Sequence, residues 1–99
     1  MAYRVVLLPT AAVEREAITD YLANIGTSAV ASFLDEYARQ LELIASGAVN
    51  YKLSRFAELA ELGYRMAPVN NYLFLYVIED DVVTVAHFFH QSQNYASLI

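Results

Sequence analysis

The chain has 99 residues and a formal net charge of -5, and 58% of its residues are hydrophobic while 17% are charged. Its length suits a single domain over residues 1–99, because two domains would each be too small to bury a stable core, and its apolar fraction excludes a disordered chain. The acidic balance argues against strong unaided binding to DNA or RNA, since nucleic-acid binders usually present a basic face to the phosphates.

The first element predicted is a strand, and a helix follows it. Residues 3–8 form a β-branched and aromatic run that ends at Pro9, as is typical of a strand. Thr10 is then a good N-cap, and the helix is expected to end in the segment 24–26, which closes on a glycine. The apolar positions at helical spacing are Val13, Ala17, Ile18, Tyr21 and Leu22.

A second helix is predicted from Thr27 or Ser28, either of which could cap it, to a stop at Gly47. Its apolar residues recur at i, i+3, i+4, i+7 spacing, and its charged residues lie on the opposite side. The apolar set is Val30, Phe33, Leu34, Tyr37, Leu41 and Ile44. The short loop between the helices predicts an antiparallel pair.

The second half of the chain predicts a three-stranded meander. Gly63 restarts extended structure, and Pro68 indicates an edge strand or a strand end. Residues 48–62 are left open, because the part at 55–62 is compatible with one or two helical turns or with an irregular connection. The strands are predicted at 64–69, 72–78 and 82–89, with turns at 69–71 and 79–81. The order β-α-α-β-β-β predicts an α+β fold, with the helical hairpin packed on one face of a small, mainly antiparallel four-stranded sheet.

His87 and His90 are the first candidates for chemistry. Their odd spacing places them on opposite faces of a strand, so they are poorly arranged to bind one metal ion. His87 is predicted to share a face with Val83, Val85 and Phe89, and His90 with Val82, Thr84, Ala86 and Phe88. A partly buried, backbone-bonded histidine and a functional one are equally compatible with His87. His90 stands at the strand end and is the better candidate for an exposed acid or base.

Lys52, Arg55 and Arg65 form the only basic cluster that the sequence offers. Arg65 is compatible with an ion pair to a surface carboxylate or with an anion or phosphate contact through its planar fork. Lys52 and Arg55 lie in the connection just upstream and could converge with it. Tyr95 could donate a proton or stack on a base, or could pack against the sheet.

Other kinds of site are excluded or disfavoured by the sequence. The chain has no cysteine, which excludes disulfides and thiolate metal sites, and it has no HxH or HExxH spacing. The longest apolar run, 72–78, is far shorter than the about 20 residues that span a bilayer. The apolar run before Pro9 is too short for a signal-peptide core. We therefore expect a cytoplasmic protein that does not contact membranes and binds neither metal nor cofactor.

Several short patterns occur in a fixed order along the chain. They are the opening strand at 3–5, the start of the first helix at 9–11, the I-x-x-Y pattern at 18–22, the GYR pattern at 63–65, the NY-x-x-x-Y pattern at 71–76 and the closing segment at 90–95. Together these patterns resemble the RelE/ParE superfamily of bacterial toxins from type II toxin–antitoxin pairs. The resemblance covers nearly the whole chain.

The resemblance implies a toxin that arrests growth and is neutralised by a cognate antitoxin. RelE-like members cut mRNA on the ribosome without a metal, whereas ParE-like members poison DNA gyrase and are not hydrolases. In a RelE-like chain, Arg65 would bind the phosphate, with Lys52 and Arg55 nearby. His90 or His87 would serve as acid or base, and Tyr95 would stack or assist.

The resemblance also implies partners and leaves alternatives open. The closing segment carries Ser92, Gln93 and Asn94 where the family pattern has arginines and an aspartate, and it looks more like the ParE side. The large apolar fraction predicts exposed apolar surface that an antitoxin helix or strand would cover. Operator DNA would be bound only through the antitoxin. An attenuated toxin retained as an antitoxin-binding interaction module is the alternative.

Overall fold

The computed structural model describes residues 3–92, which form an α+β fold. The four strands make one sheet in the order β1-β4-β3-β2, in which β1 is parallel to β4 and the other pairs are antiparallel. The predicted fold class and mainly antiparallel sheet are therefore confirmed, and β2, with its Pro68, is an edge strand. In chain order the elements are β1 (Arg4–Leu7), α1 (Pro9–Ala23), α2 (Thr27–Ala45), α3 (Ala57–Glu61), β2 (Arg65–Val69), β3 (Tyr72–Glu79) and β4 (Val82–His90).

The start of α1 differs from the prediction. The helix begins at Pro9, and Leu8 is the residue at the N-cap position, so Thr10 is not a cap. Proline suits the first helical position because its φ is already near the helical value and its missing N–H would have no partner there. Pro9 therefore ends the strand and starts the helix at once.

The predicted cap at the start of α2 is wrong, and the predicted stop at its end is confirmed. The helix begins at Thr27 with Gly26 in the N-cap position, and no side chain caps it, so neither Thr27 nor Ser28 is the predicted cap. At the other end the helix stops at Ala45, and Gly47 has a φ of 81°. That left-handed conformation is the one that glycine adopts without a steric cost, which explains the stop.

An aromatic core fills the space between the helical pair and the sheet. Tyr37 of α2 meets Phe74 and Phe88 edge-on, with ring centroids 5.4 and 5.1 Å apart. Edge-to-face contacts of this kind add to the free energy gained by burying the rings. The fully or nearly buried members are Ala11, Phe33, Tyr37, Ile44, Ala67, Val69, Phe74, Tyr76, Val83, Val85 and Phe88.

A smaller apolar cluster covers the other face of the sheet. Its centre is Leu75, and α3 contributes Leu59. Phe56, which precedes α3, packs against the same cluster. The segment 48–62, which the sequence left open, is thus a short helix of five residues within an otherwise irregular connection, and it closes the far side of the sheet.

A β-bulge in β4 changes which residues share a face. Leu75 pairs with His87 and Tyr76 pairs with Val85, which leaves Ala86 as the extra residue and shifts the alternation by one. Val83, Val85 and Phe88 accordingly share the helix-facing core, whereas Phe89 joins the opposite cluster. The predicted grouping of His87 with Val83 and Val85, and of His90 with Val82, Thr84 and Ala86, is therefore wrong. The two histidines do lie on opposite faces, as predicted, because they pair with Leu75 and Tyr72.

The turn between β3 and β4 uses two aspartates where glycine would fit better. Asp80 and Asp81 have φ values of 51° and 63°, as a two-residue hairpin turn of type I′ requires. We expect Asp81→Gly to raise the free energy of unfolding by about 0.5–1 kcal/mol, because glycine has no Cβ to strain this conformation. Asp81→Ala is the matched control, since it removes the same carboxylate but keeps the Cβ, and it should lower stability. Urea unfolding followed by circular dichroism would measure both, and equal effects would contradict the argument.

Within residues 3–92, no helix combines the length and the apolar character that crossing a membrane requires.

Candidate functional site

The Arg65 side chain forms a hydrogen bond within the chain. Its Nη1 donates a hydrogen bond to the Tyr51 carbonyl at 2.7 Å, and the contact is partly buried. This partner is a backbone carbonyl and not the surface carboxylate considered for Arg65, and the phosphate contact stays a prediction. The residue lies on β2 opposite Tyr76 and lines a groove of about 390 Å³ that also includes Glu79.

Tyr51 joins Arg65 to a polar network that reaches α2. The Tyr51 N–H donates to the Tyr76 hydroxyl at 2.9 Å, and the Tyr51 hydroxyl donates to Gln40 Oε1. Gln40 is 3% exposed and donates from Nε2 to Glu36 Oε2 at 3.2 Å. Burial raises the pKa of Tyr76 above its ordinary value. Arg65 therefore holds the irregular connection against the sheet, together with buried polar groups that need each other as partners.

Hydrogen bonds from Arg39 hold the pKa of the Glu36 carboxyl below its ordinary value, so Glu36 is an anion at neutral pH. This ion pair is exposed, with Arg39 Nε 2.7 Å from Glu36 Oε1. Exposed pairs of this kind contribute little to stability. Its role is to complete the hydrogen bonding of the buried Gln40 amide.

Lys52 and Arg55 line one open groove of about 360 Å³. Its walls are largely apolar and include Met66 and Leu73. Arg55 Nη2 donates to the Gln91 carbonyl at 3.3 Å, and its guanidinium lies 5.2 Å from the centre of the Phe56 ring. Arg65 lines a different groove, although it forms a β-bridge with Leu53 and so lies beside the connection that carries Lys52 and Arg55.

His87 contacts a carboxylate from α1. Its Nδ1 is 3.2 Å from Glu14 Oε1, and its ring stacks on Phe89 with centroids 5.5 Å apart. The same Glu14 oxygen accepts a hydrogen bond from the Phe88 N–H at 3.1 Å. Because β1 ends at Leu7, no strand pairs with β4 at Phe88 on the β1 side, and the Glu14 carboxylate accepts the N–H that a neighbouring strand would otherwise bond. His87 is thus part of the contact that joins α1 to β4.

His90 lies at the end of β4, and the groove that it lines is neither that of Arg65 nor that of the Lys52–Arg55 pair. Its Nδ1 accepts a hydrogen bond from the Ser92 N–H at 3.2 Å, so a neutral ring carries its proton on Nε2. The ring meets Tyr72 edge-on at 5.3 Å. His90 lines an open groove of about 600 Å³ together with Tyr21 and Ile25.

The predicted site residues therefore do not line one common groove. Arg65, His90 and the Lys52–Arg55 pair line three different grooves, and His87 contacts Glu14. Tyr95 lies outside the described residues. In residues 3–92 no three histidine, aspartate or glutamate side chains come close enough to hold a metal ion. The catalytic and phosphate-binding roles of these residues stay predictions.

Two residues with important contacts were missed by the sequence reasoning. Glu14 lies near the start of α1, where a negative charge suits the helix dipole, and its partner His87 is 73 positions away in the chain. Tyr51 lies in the segment whose structure was left open. A carboxylate among apolar helical positions is the only signal that could have pointed to Glu14, and nothing in the sequence says that Tyr51 bonds Arg65.

The profile of the ParE toxin of type II toxin–antitoxin system, parDE, matches residues 5–95. The chain belongs to the ParE toxin family. Among curated proteins no sequence matches the chain. A chain in the solved structure of the chromosomal ParDE TA system from P. aeruginosa shares the fold, with a TM-score of 0.68 and 13% identity. The match covers 90% of this chain and 96% of that one.

Membership of the ParE family confirms the resemblance to the RelE/ParE superfamily and makes the chain a toxin component of a type II toxin–antitoxin system. At 13% identity the P. aeruginosa structure bears on the fold alone. The profile match covers residues 5–95, so it includes Arg65, His90, Lys52 and Arg55.

Proposed function

We propose that the chain is a ParE-like toxin that inhibits DNA gyrase and does not cleave mRNA, and that a cognate antitoxin neutralises it. The observation that carries the proposal is the separation of Arg65 from His90, whose strand partners Tyr76 and Tyr72 lie four residues apart along β3. Arg65 bonds the Tyr51 carbonyl at 2.7 Å, whereas His90 and the Lys52–Arg55 pair line other grooves. The match to the ParE toxin profile supports the same choice.

Cleavage of RNA by the ribose 2′-hydroxyl needs three groups around one phosphate. A base removes the hydroxyl proton, a cation stabilises the charge on the phosphate, and an acid protonates the leaving oxygen. Acid and base must lie within hydrogen-bond reach of that one phosphate, because the proton transfers are local. Residues 3–92 distribute their candidates over different grooves, and the net charge of -5 weakens the attraction of RNA.

A supercoiling assay tests the choice of target. We expect the purified chain to block supercoiling of relaxed plasmid by gyrase and to increase the amount of cleaved plasmid DNA. Primer extension on mRNAs from cells that express the chain should show intact transcripts together with an induced DNA-damage response. We expect this combination because an inhibitor of gyrase leaves broken DNA and does not cleave RNA.

The control is a chain with a disrupted core, Phe33→Ala, which should lose the inhibition. His90→Ala separates the mechanisms further, because a nuclease that uses His90 would lose growth arrest together with its RNA cuts. Ribosome-phased cuts with unaffected gyrase would overturn the proposal in favour of an mRNA endonuclease. A chain that changes neither gyrase nor growth would instead be the attenuated, antitoxin-binding module.

A further inference from the structure

Helix α1 carries a second apolar stripe that does not face the core. The stripe consists of Val13, Ala17, Tyr21 and Ile25, which recur every four residues up to the loop after the helix. Val13, Tyr21 and Ile25 are 68%, 61% and 64% exposed. The other predicted apolar positions of α1, Ile18 and Leu22, do pack against the core. The predicted apolar positions of α1 therefore divide between the core and this stripe.

The stripe lies on the side of α1 that faces away from α2. Residues four apart are neighbours on a helix surface, so the stripe is continuous and about 18 Å long. Arg15 marks the side toward α2, because its guanidinium is 5.7 Å from the centre of the Tyr37 ring. Val13, Ala17 and Tyr21 lie about 120° or more round the helix axis from Arg15.

The stripe ends in the groove that His90 lines. Tyr21 and Ile25 form one wall of this groove, and Tyr72 and Asn71 are on the other side. Its volume of about 600 Å³ has room for a large side chain from another molecule. An exposed apolar stripe that leads into a groove lined by tyrosines has the composition of a protein-interaction surface.

Charge decides which partner suits the stripe. Glu16 and Asp20 are exposed along one flank, and Glu14 lies along the other. A second copy of the chain, packed on the stripe about a two-fold axis near Ala17, would place its own Asp20 close to Glu14. Like charges at that distance repel, and each copy carries a net charge of -5. The complementary partner is a helix with one apolar face and basic flanks.

We infer that the α1 stripe docks a basic amphipathic helix of the antitoxin, about three turns long, which inserts an apolar side chain into the groove beside Tyr72. The identity of this partner rests on the proposed function. The surface, its length and the sign of its charge rest on α1 itself.

Binding of the protein encoded beside this chain's gene tests the inference by isothermal calorimetry. We expect Val13→Ser combined with Tyr21→Ser to weaken binding at least about tenfold, because exposed apolar anchors supply most of the affinity of such an interface. The matched control is Leu53→Ser combined with Leu62→Ser, since these leucines are 43% and 67% exposed elsewhere on the surface. The control should change affinity less than about twofold.

A charge-reversal pair tests the basic character of the partner. Glu16→Lys combined with Asp20→Lys should weaken binding strongly and most at low salt. Glu58→Lys combined with Glu61→Lys adds the same charge on α3, and both of these glutamates are exposed, so it should leave affinity nearly unchanged. Equal effects of the two reversals would overturn the inference.

Three further outcomes are decisive. Size-exclusion chromatography that shows a dimer of the chain alone, lost in Val13→Ser with Tyr21→Ser, would overturn the inference in favour of a self-interface. Loss of gyrase inhibition in this variant with unchanged antitoxin affinity would overturn it in favour of a target-binding surface. A wild-type chain without effect on gyrase that still binds the adjacent protein through the stripe would sink the proposed function and support the inference.

Discussion

Replacing Phe33 with alanine is expected to lower the free energy of unfolding by about 3–5 kcal/mol. Phe33 is fully buried on α2, and its ring contacts Tyr72 edge-on at 5.5 Å and Phe88 at 6.2 Å. Alanine would leave a cavity where α2 meets β3 and β4, and the aromatic contacts would be lost with the buried area. A domain of this size has about 5–15 kcal/mol of stability, so the substitution removes a large share.

Leu34→Ala is the control for this prediction, because Leu34 is the next residue of the same helix and is 39% exposed. It was predicted to belong to the apolar face of α2, and its exposure means that its truncation should cost less than about 1 kcal/mol. Thermal unfolding would separate the two, since 1 kcal/mol shifts the Tm of such a domain by about 4–8 °C. Similar shifts for both variants would contradict the placement of Phe33 in the core.

The fold was predictable because its signals are local. The helical spacing in α2, the stop at Gly47 and the turn at 79–81 each depend on residues close in the chain. The β-bulge at Ala86 carried no such signal, because residues 82–89 are apolar apart from Thr84 and His87 and either register looks acceptable. Only pairing with β3 decides the register, and that pairing places Leu75 opposite His87.

The candidate site was predictable only as a set of residue types. Arg65 was singled out as a candidate for an ion pair or a phosphate contact, but its partner Tyr51 lies in a segment without periodicity. The two faces of α1 were not separated either, because Val13, Ala17 and Tyr21 recur at helical spacing just as Ile18 and Leu22 do. Spacing shows that a helix is apolar on more than one side, and only packing against the sheet shows which side is covered.

Tyr76→Phe is expected to lower the free energy of unfolding by about 1–3 kcal/mol, although it removes a single oxygen atom. Tyr76 is fully buried, and its hydroxyl accepts the hydrogen bond of the Tyr51 N–H at 2.9 Å. Phenylalanine would leave that N–H without its partner. The irregular connection that contains Tyr51, whose carbonyl bonds Arg65, would then be held less tightly against the sheet. Tyr21→Phe is the matched control, since Tyr21 is 61% exposed, and it should change stability by less than about 0.5 kcal/mol.

The same hydroxyl sets a dependence on alkaline pH. Burial raises the pKa of both Tyr76 and Tyr37 in the folded chain. An unfolded tyrosine ionises near pH 10, so the unfolded state releases these protons first. The resulting stability is fully present below about pH 10 and is lost as pH rises through the folded pKa values. Chemical unfolding from pH 9 to pH 11 should therefore show a steeper loss for the wild type than for Tyr76→Phe. Parallel pH curves for the two proteins would mean that the Tyr76 hydroxyl is not shielded from water. The hydrogen bond from the Tyr51 N–H could then not explain how the Tyr51 carbonyl is held in place for Arg65.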